Sequence, residues 1–181
     1  MTTYIALLRG INVGGNKKIA MADLRAFATK LGLVDAQTLL QSGNLVFCSG
    51  IQAGAALEQL LEAEARKRLG LDTEFHVRTV AEWEDAIARN PFAGAAKDDP
   101  SHLLVLFLKN EPAAKAVSAL QAAIAGPEVV RASGRQAYFI YPDGMGRSKL
   151  TPAVIDRHIG RGTARNWNTM LKVAAVAEGL G

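Results

Sequence analysis

Residues 37–49 read QTLLQSGNLVFCS, and this stretch decides the fold. Two apolar, strand-like segments, QTLLQ (37–41) and NLVFCS (44–49), are separated only by Ser42-Gly43. Glycine supplies the left-handed backbone that a tight connection needs, so the pattern predicts a β-hairpin. The hairpin lies in the middle of the first half of the chain, so the segments before and after it determine the order of strands and helices there.

The segments on both sides of the hairpin alternate between strand and helix patterns. YIALLR (4–9) is a short apolar run that predicts a buried strand, and the apolar spacing over 21–31 predicts a helix that ends before Gly32. A second amphipathic helix runs from about Leu57 to Leu69, and the alternating EFHVRT (74–79) predicts a strand. The order β-α-β-β-α-β is that of a ferredoxin-like unit.

The second half repeats the first five elements of this order. NPFAGAAKDDPS (90–101) is rich in Pro, Gly and Asp and is interpreted as a linker. After it, the patterns predict a strand at 102–108 and a helix at 113–124. They then predict two strands, 128–132 and 136–141, that are joined by a turn at Ser133-Gly134-Arg135, and two helices at 151–159 and 166–178. The fold class is therefore predicted as α+β, with two ferredoxin-like subdomains (1–90 and 91–181) and a C-terminal helical extension.

This order predicts which loops lie together. A right-handed crossover makes the first and second strands parallel, so GINVGGNKK (10–18) is expected beside QSGN (41–44). In the second half, the same rule places the Ser133-Gly134 turn beside GRGTAR (160–165) and DGMGRSKL (143–150) at the opposite end.

Composition limits the classes of function. The 181 residues carry a net charge of +4 and are 49% apolar but only 6% aromatic, so an anionic partner fits better than a base-stacking surface. The single cysteine, Cys48, excludes an internal disulfide framework. The sequence shows no signal peptide and no apolar run of about 20 residues, which predicts a cytoplasmic protein without a membrane span.

GINVGGNKK follows a strand and precedes a helix, which is the usual context of a phosphate-binding loop. Its spacing is not that of a Walker loop, because Asn16 separates Gly15 from Lys17 and Lys18 stands where a hydroxyl is required. A dinucleotide-binding glycine pattern is absent as well. Two interpretations stay open: a turn that needs glycine, and a loop that contacts an anionic ligand.

Another unusual stretch is GTARNWNT (162–169), in which either Asn166 or Thr163 is a candidate helix cap. Arg161 and Arg165 would oppose the dipole of the following helix, and a bound anion would offset that cost. The three histidines are isolated, and no metal-binding or nucleophile pattern is present. The sequence therefore predicts no catalytic residue, metal or cofactor.

Several blocks together resemble a widespread bacterial domain-of-unknown-function family. They are YIALLRGINVGGNKKIAMADLRAFATKLG, TLLQSGNLVF, NPF and the ARNWNT segment at 164–169. The resemblance covers nearly the whole chain. It implies a cytoplasmic protein of two similar α/β subdomains and supplies no catalytic residues.

The leading hypothesis is a non-catalytic module that binds a phosphate-bearing or other anionic ligand, either a small molecule or nucleic acid. Cations would supply charge and amides would orient the ligand. The candidate residues are Arg9, Asn12, Lys17, Lys18, Gln41, Asn44, Arg165 and Asn166. Two alternatives are an enzyme acting on a small polar metabolite in a cleft between the subdomains and an assembly module that pairs through exposed sheet edges.

Overall fold

The computed structural model describes residues 1–15, 17–51 and 53–181. The strands are β1 Thr2–Leu8, β2 Val34–Leu39, β3 Asn44–Ser49, β4 Phe75–Thr79, β5 Leu103–Leu108, β6 Val129–Ser133, β7 Gln136–Ile140 and β8 Gly162–Asn166. The helices are α1 Met21–Lys30, α2 Gly54–Leu69, α3 Val80–Ala88, α4 Ala93–Asp98, α5 Ala114–Ala123, α6 Pro152–Ile159 and α7 Trp167–Glu178. The strands form two four-stranded sheets, which confirms the predicted α+β class.

The first sheet has the strand order β2-β3-β1-β4. β3 is antiparallel to both β1 and β2, with Tyr4 opposite Phe47 and Gln37 opposite Val46. β1 and β2 are therefore parallel, as the crossover rule predicts. The loop after β1 and the β2–β3 hairpin consequently lie at the same end of this sheet.

The second sheet has the corresponding order β6-β7-β5-β8, and its outer strand β8 was not predicted. The sequence analysis interpreted 160–165 as a loop before a helix, because this glycine- and arginine-rich segment lacks strand-like alternation. Pairing with β5 makes it a strand: Leu108 lies opposite Gly162, and Leu104 lies opposite Asn166. The strand thus depends on long-range hydrogen bonds more than on local preference.

The predicted linker at 90–101 is also structured. It contains α4 and a short 3-10 helix, Pro100–His102. The side-chain oxygen of Asn90 accepts a hydrogen bond from the Phe92 N–H at 3.0 Å, and the alanines that follow favour a helix. Gly94 lies in the first turn of α4 and Pro100 begins the 3-10 helix, so this candidate linker contains two short helices.

The chain divides into two compact units. The first contains residues 1–85 and 172–181, and the second contains residues 86–171. The predicted boundary between 90 and 91, in the sense of separately folding subdomains, stays a prediction.

Each unit has a hydrophobic core on the helix-bearing face of its sheet. In the first unit Tyr4 and Phe47 stack with their ring centroids 6.0 Å apart, and Leu24 and Phe27 of α1 and Leu57 and Leu61 of α2 belong to the same cluster. The corresponding cluster of the second unit includes Leu104, Leu106, Leu120, Phe139 and Ile155. Each fully buried side chain of this size stabilises the fold by about 2 kcal/mol relative to its exposed state.

Carboxylates occupy the outer edge of the first sheet. Glu62 and Glu58, one helical turn apart on α2, accept hydrogen bonds from the N–H groups of Phe75 and Val77 at 3.0 and 2.9 Å. Glu82 accepts the Thr79 N–H at 2.8 Å, while the Thr79 hydroxyl accepts the Glu82 N–H. Because these outward donors of β4 are already bonded, this edge is a poor template for a strand of another chain.

Candidate functional site

The connection between β1 and α1 is held by the side chain of Asn12. Its amide nitrogen donates to the carbonyl oxygens of Ile19 at 3.0 Å and Gln41 at 2.7 Å, and its amide oxygen accepts the Ile19 N–H at 2.9 Å. Asn12 has a left-handed backbone, with a φ of 54°. One amide therefore closes the loop on itself and ties it to the hairpin, which confirms that 10–18 lies beside 41–44.

Gly43 provides a second close contact at this end of the sheet. Its φ is 83°, and a Cβ atom at this position would lie 2.5 Å from the Cδ1 of Ile11. Both the left-handed backbone and the close contact with Ile11 require glycine at position 43, so Ser42-Gly43 has a structural role in the turn. By contrast, Gly10, Gly14 and Gly15 have left-handed backbones but open space around them, so conformation alone accounts for these glycines.

A groove of about 670 Å³ opens beside this loop. Its lining comes from the loop, from one face of α1 and from the end of α2, and consists of Asn12, Lys18, Ile19, Ala20, Asp23, Ala26, Phe27, Lys30, Gln41, Arg68, Leu69 and Leu71. The contributing positions on α1 follow helical spacing from Ala20 to Lys30, so the groove follows about 15 Å of this helix. We call it the α1 groove.

The helices explain why space remains at this position. In the second unit α5 and α6 pack against each other, whereas α1 and α2 make fewer direct contacts. α2 ends at Gly70 with a left-handed cap, which turns the chain so that Leu69 and Leu71 both line the groove. The α1 groove is thus the gap between α1 and the end of α2, beside the β1–α1 loop.

The charges in the α1 groove are mainly positive. Lys18 and Lys30 are exposed and, within residues 1–15, 17–51 and 53–181, have no acidic partner. Arg68 forms an ion pair with Glu64, and this hydrogen bond lowers the pKa of the Glu64 carboxyl from its usual value. Asp23 supplies the one carboxylate among the lining residues. The groove therefore offers two available cations and one carboxylate.

Three of the eight predicted ligand residues line this groove: Asn12, Lys18 and Gln41. The amide of Asn12 is already used by the backbone, which makes it a residue that shapes the loop. Lys17 is exposed but does not line the groove. Of the two neighbouring lysines that the sequence predicts as ligand residues, only Lys18 therefore lines the groove.

The other predicted residues lie elsewhere in the structure. Arg9 follows β1, where its N–H donates to the Glu74 carbonyl and its own carbonyl accepts the Thr73 hydroxyl. Asn44 is buried in the hairpin and donates to the Leu39 carbonyl at 2.7 Å. The sequence placed both residues near the first loop, but neither lines the α1 groove.

Arg165 and Asn166 belong to the second unit. Arg165 lies in β8 and donates to the Thr163 hydroxyl and the Ala164 carbonyl, both at 2.8 Å. Burial lowers the pKa of its guanidinium to about 10, which leaves it charged at neutral pH. The side chain of Asn166 accepts the Thr169 N–H at 2.9 Å, so it caps α7 as the sequence predicts.

Sequence reasoning missed Asp23, Lys30 and Arg68, which complete the charged lining. Asp23 and Lys30 lie seven residues apart, two turns along one face of α1, and that spacing is visible in the sequence. Arg68 lies more than 35 residues further along the chain. Only the fold brings it to the same groove.

A second cavity, of about 540 Å³, lies in the second unit at the end opposite its hairpin. There the Ser148 hydroxyl donates to the buried Glu128 carboxylate at 2.6 Å and accepts the Leu150 N–H at 3.0 Å. These bonds hold the segment 143–150 next to the start of β6. This confirms the prediction that 143–150 lies at the end of the second sheet opposite the hairpin. The Ser148 hydroxyl and the Glu128 carboxylate thus have hydrogen-bond partners within the protein, and their role here is to anchor the loop.

The described part of the chain shows no cluster of three or more His, Cys, Asp or Glu side chains suited to a metal ion. None of its helices is both long enough and apolar enough to cross a membrane.

Comparison with known proteins places this architecture in a family. The chain resembles the solved structure of the conserved bacterial protein SP0830 from Streptococcus pneumoniae, with a TM-score of 0.75 and 26% sequence identity over 97% of this chain and 98% of that one. No curated protein matches the chain. A family model described as "Protein of unknown function (DUF1697)" matches residues 1–138. The chain therefore belongs to the DUF1697 family.

Proposed function

We propose that the first unit binds an anionic, phosphate-bearing ligand in the α1 groove. The observation that carries this proposal is the pair of available cations, Lys18 and Lys30, on one groove with polar side chains beside them. Cations at a concave site attract anions and raise their local concentration. Surface lysines scattered over a convex face would not have this effect.

The start of α1 supports the same ligand chemistry. Ala20 lines the groove and precedes the helix, and it makes no side-chain cap hydrogen bond. The first backbone N–H groups of α1 therefore have no side-chain acceptor from that position, and helix N-termini favour negative charge. Lys18 and these N–H groups would contact the anion together, while the exposed Gln41 side chain would orient it.

The test is a titration of the full chain with inorganic phosphate at low ionic strength, followed by NMR shifts of backbone amides. The Lys18→Ala/Lys30→Ala double variant is expected to lose the saturable shifts of groove residues, because both available charges are removed. Lys67→Ala is the matched control, since Lys67 is an exposed lysine on α2 that does not line the groove.

Lys17→Ala separates this proposal from a general effect of the basic loop. Lys17 is next to Lys18 but lies outside the groove lining, so phosphate binding should persist in this variant. Unchanged phosphate binding in the double variant, or shifts centred on another part of the chain, would show that the groove is not the site.

A further inference from the structure

We infer that the ligand of the α1 groove is amphipathic: a small aryl or alkyl phosphate monoester, with an apolar body attached to the anion. This inference rests on the proposed function and specifies its ligand class. It is carried by the composition of the groove, half of whose lining residues are apolar.

The apolar lining residues are Ile19, Ala20, Ala26, Phe27, Leu69 and Leu71. Leu69 is 36% exposed at the end of α2 and lies beside Arg68 in the lining. Phe27 and Leu71 belong to the hydrophobic core and are almost fully buried. The accessible apolar lining therefore comes from Ile19, Ala20, Ala26 and Leu69. A ligand consisting of phosphate alone would leave this apolar surface in contact with water.

A single phosphate group would contact only one of the two cations of the groove, and the rest of the ligand would extend along α1. Lys18 precedes α1 and Lys30 ends it, so the two cations belong to opposite ends of the groove, separated by about 15 Å of helix. Asp23 lies in the first turn of α1, between them in sequence. Its carboxylate would repel a continuous polyanion such as a nucleic-acid backbone but would accept a hydroxyl or amine hydrogen of a small ligand.

The experiment compares the affinities of inorganic phosphate and phenyl phosphate for the full chain, by the same amide titration. Burial of about 60 Å² of a phenyl ring against the apolar lining should tighten binding about tenfold. Leu69→Ser should remove most of this preference for phenyl phosphate over inorganic phosphate, because it replaces apolar lining with a hydroxyl. Leu171→Ser is the matched control, since Leu171 is an exposed leucine outside the groove.

The outcomes separate the two proposals. Equal affinities for the two probes in the unmodified chain would overturn the amphipathic ligand while leaving the phosphate site in place. Binding of neither probe would overturn the phosphate site, and the ligand class with it. A phenyl preference that survives Leu69→Ser unchanged would show that the ring does not contact this lining, and would also overturn the inference.

Discussion

The two units share one strand order but differ in the lengths of their connections. In each, the residue that ends the first strand donates its N–H to the hairpin: Leu8 to the Gly43 carbonyl at 3.0 Å and Leu108 to the Arg135 carbonyl at 2.8 Å. Between the first strand and first helix, however, the first unit has residues 9–20 and the second only 109–113. The longer connection forms one wall of the α1 groove.

The correspondence extends to buried polar residues. Arg78 lies opposite Ile5 and donates to the Val77 carbonyl, and Arg165 lies opposite Val105 and donates to the Ala164 carbonyl. Each arginine is buried on an outer strand. Residues that hold the sheet are thus repeated, whereas the long connection 9–20, which supplies part of the α1 groove lining, is longer than its counterpart 109–113. The contrast separates residues that both sheets share from a loop whose length is particular to the first unit.

The largest expected effect tests the two hairpins against each other. Gly43→Ala should destabilise the chain by about 3 kcal/mol, because a left-handed backbone disfavours alanine and the new Cβ would displace Ile11. Gly134→Ala is the matched control: its φ is also positive, at 61°, but its nearest neighbour would lie at an ordinary 3.6 Å, so we expect about 1 kcal/mol. Urea unfolding measures both, and equal losses would mean that Ile11 moves aside freely.

A smaller effect is expected from the loop itself. Asn12→Ala removes three hydrogen bonds, so we expect a loss of about 1–2 kcal/mol in unfolding free energy and faster hydrogen exchange at the Ile19 amide. Phosphate binding should weaken too, because Lys18 and Gln41 are no longer held together. Asn110→Ala, at an exposed position of the short connection, should change the stability by less than about 0.5 kcal/mol. Similar effects of both substitutions would show that the long loop needs no internal anchor.

The smallest effect concerns the second unit at high pH. Burial, and secondarily the charge of Glu128, raises the pKa of the Tyr141 phenol to about 12. The folded state therefore retains this proton where the unfolded chain releases it, so the contribution is fully present below about pH 10 and is lost as the pH rises through 12. Tyr141→Phe should make unfolding free energy fall less steeply over this range. The equivalent position of the first sheet is Ser49, which cannot titrate there.

Absorbance of the tyrosinates at 295 nm provides the independent measurement for this last prediction. The folded chain should show one phenol that ionises near pH 12, and this step should be missing in Tyr141→Phe. An unchanged pH slope in the variant would mean that Tyr141 titrates as in the unfolded chain.

Much of the fold could be predicted because its signals are local. The hairpin at Ser42-Gly43, the helix before Gly32 and the cap by Asn166 each depend on residues a few positions apart. β8 could not be predicted in this way, because Gly162–Asn166 becomes a strand through its pairing with β5. The same reason applies to the site: Asn12, Lys18 and Gln41 could be associated by a topology rule, whereas Arg68 required the packing of α2 beside the loop.

The sequence by itself determined the β-α-β-β-α-β order, the turn glycines and the basic loop after β1, since periodicity, backbone preference and charge are properties of neighbouring residues. Tertiary structure decided which lysine faces the groove and that the predicted Arg165 is buried in a strand. It also decided that the Asn12 amide is consumed by the loop. These outcomes depend on the distances between packed helices and on which backbone groups need hydrogen-bond partners. A short stretch of sequence specifies neither of these.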